Sequence, residues 1–378
     1  MPQEIHSLLD QLRAYDGLDI GKARALPMEM YTSRELFDLE MEHVFRKEWI
    51  CVGRDEQVKN RGDYFTIELL GEPIVVICGA DNKIRALSAV CRHRYYSVVE
   101  GAGNAKTLIC PYHRWAYGLD GLLRGAPHMV DVKDRDGKPC RLPEFPVESW
   151  QGFLFVSLNH EVTPLRPTLV DAEKYWTNYD MENQRISPWV DEVWPGNLKL
   201  AMETALEGYH VSGLHPGTIA KFMPSRTSEF EATSDQWTLF RLGTVYEGEF
   251  AAYQSFADRM GGEDRNTAPQ FGFFPNCAVS CAPFASIWLT FLPIDVEHTR
   301  VIGGNLIPSD LHKLVSQSEQ LESALADGVN AINVQDASAM VNLQRNAGSA
   351  HAEPGLLSEK EKCLLHFYRY LGKQLAAC

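Results

Sequence analysis

The stretch "CRHRYYSVVEGAGNAKTLICPYHRW" runs from Cys91 to Trp115 and decides the reading of the first half of the chain. It contains Cys91-x-His93 and, after sixteen intervening residues, Cys110-x-x-His113. Two thiolates and two imidazoles at short fixed offsets form a set of soft and borderline ligands, which points to a metal centre.

The residues around this stretch are strand-like. "YFTIELL", "PIVVICGA", "KIRALSAV" and "GFLFVSL" are rich in β-branched and aromatic side chains and are separated by turn residues. "WAYGLDGLLRG" predicts a hairpin with Asp120-Gly121 at its tip. The region from Ile50 to Leu158 therefore reads as an all-β unit, with both Cys-His pairs on loops or strand ends. Zinc accepts a Cys2His2 set, but a zinc finger pairs Cys with Cys and His with His. A mixed pair on each loop suits a [2Fe–2S] cluster of Rieske type. One iron takes both cysteines and the other both histidines, and the neutral imidazoles raise the reduction potential. Arg94, Arg114 and Trp115 flank the ligands and are placed to shield and tune such a cluster.

From Asn159 the composition changes. "HEVTPLRPTLVDAEKYW" reads as a linker, and "GNLKLAMETALEGYHVSGLHP" as a helix. "DQWTLFRL", "FGFFPNCAVSC", "SIWLTFLPI" and "TRVIGGNLIP" read as strands of one antiparallel sheet, with late helices near Leu311–Asn346 and Ser358–Leu375. Capping boxes are expected at Thr32 with Glu35 and at Ser358 with Glu361. The fold class is thus α+β.

A second constellation lies in "ALEGYHVSGLHP", which holds Glu207, His210 and His215. Residues five apart on a regular helix point about 140° from each other. Both histidines can serve one metal only if the helix is distorted or ends between them, and Gly213 and Pro216 favour such an irregularity. A third ligand has to come from elsewhere. Asp336 in "NVQDASAMVNLQ" completes a facial triad of two histidines and a carboxylate if its helix packs beside them. Phe271, Phe273, Phe274, Trp288 and Phe291 offer either pocket lining or ordinary core.

The bulk properties fit an enzyme with small substrates. The 378 residues allow two or three domains, and the net charge of -14 argues against a non-specific nucleic-acid binder. No apolar run reaches the length of a membrane span, and the N-terminal stretch has no signal-peptide core, so a cytoplasmic location is expected. Nine scattered cysteines do not suggest a disulfide framework, and Cys277 and Cys281, with no histidine beside them, read as buried thiols.

With these motifs in place, the sequence resembles the catalytic α subunit of Rieske non-haem iron ring-hydroxylating oxygenases over nearly its whole length. Cys91, His93, Arg94, Cys110, Pro111, Tyr112, His113 and Trp115 match the Rieske signature, and Glu207, Tyr209, His210 and His215 the catalytic one. Asn197 and Lys199 match an Asn-x-Lys segment, and Asp336 with Gln344 the third iron ligand and a downstream Gln. Tyr95, Thr204 and Val341 stand where Gly, Asn and Glu are common, and Glu207 where many members have Asp.

The resemblance implies an N-terminal helical segment (1–45) packing on the catalytic domain, a Rieske domain (46–158) and a helix-grip catalytic domain (159–378). It implies a [2Fe–2S] cluster on Cys91, His93, Cys110 and His113, and mononuclear Fe(II) on His210, His215 and Asp336. Glu207 and Asn197 become catalytic candidates. The implied partners are a reductase, with or without a ferredoxin, drawing on NAD(P)H, and the implied assembly is a homotrimer without a β subunit. In that trimer the cluster of one subunit passes electrons to the iron of the next, and Glu207 joins His210 to the neighbour's His93 or His113. Mono-oxygenation, dioxygenation and oxidative demethylation of a small organic substrate all remain open, including arene substrates. Glu207 is also similar to members that act on quaternary ammonium compounds. Two readings of other classes compete: an electron-transfer protein without oxygen chemistry, and a zinc-stabilised binding module.

Overall fold

The computed structural model describes residues 3–377. The chain forms two compact units, Arg46–Thr163 and a unit combining Met1–Phe45 with Pro164–Cys378.

Arg46–Thr163 is built from three small antiparallel sheets. The largest runs in the order Ala102–Asn104, Asp63–Leu69, Glu72–Cys78, Ile84–Ser88, Glu144–Phe145. The strand Glu72–Cys78 is central, and its "IVVIC" run is buried on both faces, as an unbroken apolar strand should be. A second sheet pairs Ile50–Arg54 with Phe153–Val156 and the latter with Val147–Trp150. A third sheet holds Leu108–Ile109, Ala116–Tyr117 and Leu123–Gly125. Its hairpin turns at Asp120-Gly121 as the sequence predicts. Gly121 has φ 81°, and the Asp120 carboxylate accepts from Leu122 N at 3.1 Å. The core of the unit gathers Val75, Ile77, Leu87, Trp115 and Tyr117 together with Cys91 and Cys110.

The other unit centres on a seven-stranded antiparallel sheet. Its order is Arg185–Pro195, His298–Ile307, Ser286–Asp295, Cys277–Ser280, Thr267–Phe273, Trp237–Gly243, Glu229–Thr233. The four segments read as strands all lie in it, with "FGFFPNCAVSC" folded back into two strands, Thr267–Phe273 and Cys277–Ser280. Its two edge strands, Arg185–Pro195 and Glu229–Thr233, fall where no strand was expected. Arg185–Pro195 carries prolines and acidic residues and has a register shift between Ile186 and Trp189, features that only an edge strand tolerates. The segment read as a linker is instead the short helix Arg166–Leu169 followed by a 3-10 turn over Val170–Tyr175.

The helix Glu319–Asn346 packs along the edge strand Arg185–Pro195 and against the helix Leu198–Ala205. Its buried face is Val329, Asn333, Asp336 and Met340, a helical stripe with two polar residues inside it. The helix Lys362–Gln374 starts from the expected Ser358–Glu361 capping box and packs on Gln3–Arg13. The expected cap at Thr32 is displaced by one residue. Thr32 ends a short helix, and Ser33 caps Arg34–Glu40 by accepting from Leu36 N at 3.2 Å. Lys199 and Glu40 form a buried ion pair of 2.7 Å.

Among the described residues, eight cysteines are all free and buried, and no helix is long and apolar enough to cross a membrane. Cys378 lies outside the described residues.

Candidate metal centres

The two Cys-His loops are near copies of each other. Each is a turn closed by a paired flank, Val90 with Ser97 in the first and Ile109 with Ala116 in the second. In the first, Cys91 N donates to Tyr96 O at 2.8 Å and Tyr95 N to Cys91 O at 3.2 Å. In the second, Cys110 N donates to Trp115 O at 2.8 Å and Arg114 N to Cys110 O at 3.0 Å. The fourth residue after each cysteine is left-handed, with φ 62° at Tyr95 and 63° at Arg114. The sequence departure at Tyr95 therefore falls on a backbone conformation that glycine takes without steric cost.

The loops bring the four residues together. The His93 and His113 rings lie 4.6 Å apart, and His93 stacks on the buried Trp115 at 4.8 Å. The Cys91 sulfur lies 3.3 Å from the Tyr117 hydroxyl, which also accepts from Arg92 N at 3.1 Å. Burial pushes the Cys91 thiol up, against the pull of the Tyr117 hydroxyl. Desolvation and the neighbouring His93 and Arg94 hold His113 below the usual imidazole range, which favours the neutral, ligating ring. His93 Nδ1 is buried without a hydrogen-bond partner. A buried ring nitrogen left unsatisfied is costly, and a cluster iron would satisfy it. The donor set fits a Rieske cluster.

The second constellation forms where the predicted long helix is interrupted, which happens before His210 and not at Gly213, since a hydrogen-bonded turn runs from His210 to His215. The helix ends at Ala205, and a one-turn helix Val211–Leu214 follows, with His210 at its N-cap and His215 at its C-cap. The break has two causes. A Cβ on Gly208 would sit 2.9 Å from both Leu242 Cδ2 and Ser228 Oγ, so the chain presses against its neighbours there. The Glu207 carboxylate then turns back on the chain, accepting from the backbone of Tyr209 and, at 3.0 Å, from His210 N. Its other oxygen meets His210 Nδ1, leaving Nε2 free.

The helix Glu319–Asn346 supplies the third group. Asp336 Oδ1 stands 3.0 Å from His215 Nε2 and 3.9 Å from His210 Nε2, and one ligand atom from each residue lies within 4.8 Å of the others. Asp336 Oδ1 is buried with no hydrogen-bond donor, the condition of a carboxylate oxygen reserved for a cation. Burial opposes protonation of His210, but the Glu207 hydrogen bond and charge, with Asp336 behind them, outweigh it and raise its pKa. Two imidazoles and one carboxylate converging in this way can hold iron and leave coordination sites open.

These groups lie on one wall of a cavity of about 110 Å³. Trp194, Phe240, Phe271 and Phe291 give it aromatic walls, and Thr204, Gln270, Ser280 and Asn333 its neutral polar spots. Of the five aromatic residues singled out in sequence, Phe271 and Phe291 line it, whereas Phe273, Phe274 and Trp288 are buried elsewhere. Among the described residues lining it there is no Lys or Arg. Asn197, a catalytic candidate from the resemblance, stands apart from the cavity. It caps the helix Leu198–Ala205 by accepting from Lys199 N at 3.0 Å and donates to Tyr31 O and Val296 O, so its side chain is spent on packing and does not border the cavity. Gln344 works beside it, accepting from Asn197 N at 2.9 Å. Trp194, Asn333 and Gln335 went unnoticed in sequence. The signal for Asn333 was available, as a polar residue three before Asp336 on the same apolar stripe.

Comparison with known proteins agrees with this geometry. Residues 172–377 match the model of the ring hydroxylating alpha subunit (catalytic domain), and residues 48–146 that of the Rieske [2Fe-2S] domain. The chain is similar to the carnitine monooxygenase oxygenase subunit of Escherichia coli (strain K12), with 34% identity over 199 residues. That match covers 52% of this chain and 53% of the relative, so the chain spans about half the length of that protein. It is 29% identical over 295 residues to the putrescine 2-hydroxylase of Ralstonia nicotianae, covering 76% of this chain and 77% of that one. Its fold is like that of a quaternary ammonium Rieske monooxygenase studied for carnitine oxidation and inter-subunit electron transfer. The TM-score is 0.81 at 23% identity, over 94% of this chain and 96% of that one. The chain belongs to the ring-hydroxylating alpha-subunit family of Rieske non-haem iron oxygenases, with the Rieske [2Fe–2S] cluster and mononuclear iron that this family carries.

Proposed function

We propose that this chain is a terminal oxygenase component that hydroxylates a small organic cation of the quaternary ammonium or amine class. The observation that carries it is the convergence of His210, His215 and Asp336 on the wall of an aromatic cavity. Iron held there supplies dioxygen activation, fed by electrons from a [2Fe–2S] cluster on Cys91, His93, Cys110 and His113. Glu207 fixes the tautomer and direction of His210 by taking its Nδ1 proton in a hydrogen bond. Trp194, Phe240, Phe271 and Phe291 keep water out and offer ring faces to a cation. Among the described lining residues, the carboxylates of Glu207 and Asp336 offset the two charges of Fe(II) and leave the wall without excess positive charge. The ring faces and the lack of Lys or Arg among the described lining residues suit a cationic guest, and the kinship to carnitine and putrescine enzymes supports it. An aromatic hydrocarbon is the weaker fit.

Electrons come from NAD(P)H through a reductase, directly or by way of a ferredoxin. The assembly is a homotrimer in which the cluster of one subunit serves the iron of the next. Exposed rings at the cluster loops, Tyr96 and Tyr112, give such a contact its apolar surface, and Tyr209 does so beside the iron. The buried free thiols suit a reducing, cytoplasmic setting.

The test is reconstitution with a reductase. L-carnitine, γ-butyrobetaine and diamines are scored against neutral arenes for oxygen uptake coupled to product mass. His210→Ala is expected to stop turnover on every substrate while the visible spectrum of the cluster persists. Coupled turnover by His210→Ala would sink the site, and coupled turnover of arenes alone would sink the cationic substrate.

A further inference from the structure

The two histidines of the iron site are not backed alike. His210 Nδ1 meets a carboxylate, that of Glu207. His215 Nδ1 meets the side-chain amide oxygen Oε1 of Gln335 at 2.7 Å, and the same oxygen accepts from Thr218 Oγ1 at 3.1 Å. We infer that Gln335 is a positioning residue for the metal. Its carbonyl oxygen holds the Nδ1–H tautomer of His215 and so keeps Nε2 unprotonated and turned toward Asp336. This inference rests on the reading of His210, His215 and Asp336 as iron ligands.

The amide is placed with its oxygen toward His215, and the Thr218 hydroxyl beside it also lies 3.4 Å from His215 O. In this placement one oxygen can accept both the Nδ1–H of His215 and the Thr218 hydroxyl. A reversed amide would present N–H groups to His215 Nδ1 and drive the ring proton onto Nε2, which lies 3.0 Å from Asp336 Oδ1. In that tautomer the ring cannot coordinate. Water is a poor substitute for Gln335, because His215 is only 1% exposed. Gln335 also directly precedes Asp336, so a single turn of the helix Glu319–Asn346 delivers one ligand and the support of another. The centre therefore has an anionic backing on one imidazole and a neutral backing on the other. A neutral backing holds down the negative charge around the iron.

The experiment uses the full chain with its cluster intact, stripped of mononuclear metal and titrated with Co(II) in competition with a chromogenic chelator. Gln335→Leu is expected to weaken Co(II) binding about 10–100-fold. Gln335→Glu, which restores an acceptor oxygen, is expected to bind at least as tightly as wild type and to lower the reduction potential of the iron-loaded site. Cluster absorbance and melting temperature show that each variant is folded. Wild-type affinity in Gln335→Leu, or an equal loss in Gln335→Glu, overturns the inference. The control is Asp336→Ala. If wild type binds Co(II) no better than this variant, the iron-site reading falls and takes the inference with it. If wild type binds through Asp336 while Gln335→Leu is unaffected, the inference falls alone.

Discussion

The two metal centres of this chain are assembled in opposite ways. The cluster site is local. Its four residues sit on two loops with the same hydrogen-bonding plan and the same left-handed fourth position, set into one small β core. The mononuclear site is distant in sequence. Its histidines flank a one-turn helix made by a break, and its carboxylate arrives on a helix more than a hundred residues later. A local site depends on turn geometry, whereas a distant one depends on the packing that brings its parts together.

The largest expected effect separates the centres outright. Cys110→Ser should bleach the Rieske spectrum and abolish turnover, because a core thiolate ligand is lost, while metal binding at His210, His215 and Asp336 stays intact. Optical spectra and Co(II) titration of the same preparation check this. Loss of Co(II) binding as well would mean that the two sites do not fold independently, and the contrast between them would fail.

A smaller effect should fall on the distant site alone. Lys199 lies on the helix that leads into Glu207 and His210, and its ammonium pairs with Glu40 in a buried contact, with side chains 2% and 5% exposed. Lys199→Met leaves that carboxylate without its partner, which costs about 3–5 kcal/mol. Thermal denaturation followed at two wavelengths tests it. The far-ultraviolet transition of the helical unit should move down, while the cluster absorbance is lost at an unchanged or less affected temperature. Equal shifts in both would show that the β unit leans on the same packing.

The same contrast explains what could be read in the sequence. Cys91-x-His93 and Cys110-x-x-His113 announce a centre because the ligands are close in the chain and the loops are alike. His210 and His215 were legible only as a pair needing a broken helix, and Gly208, the residue pressed against Leu242 and Ser228, was not singled out. Asp336 was legible only as a conditional third ligand, since nothing in the chain says that its helix packs beside the histidines. Gln335 gave no signal at all, since its role exists only once Thr218 and His215 are packed on it. The bonds of Asn197 to Tyr31 and Val296 are likewise tertiary, so its part as a cap and a tie could not be read from the chain alone. The edge strand Arg185–Pro195 escaped notice because its prolines oppose strand propensity, and only its place at the sheet margin accommodates them.

The smallest effect tests the likeness of the two cluster loops. Tyr95 and Arg114 occupy the same left-handed position, where a side chain with a Cβ costs about 1–2 kcal/mol relative to the right-handed region. Tyr95 is 88% exposed, so its ring contributes little packing within this chain. Tyr95→Gly removes the steric cost but adds unfolded-state freedom, which returns about 0.5–1 kcal/mol of the gain. The net expectation is a stabilisation of roughly 0.5–1 kcal/mol, seen as slower loss of cluster absorbance in denaturant, with Arg114→Gly giving a gain of the same sign. A gain at Arg114 with a loss at Tyr95 would break the equivalence in an informative way. It would mean that the Tyr95 ring is buried in the assembled protein, and gel filtration of Tyr95→Gly would then show a weakened oligomer.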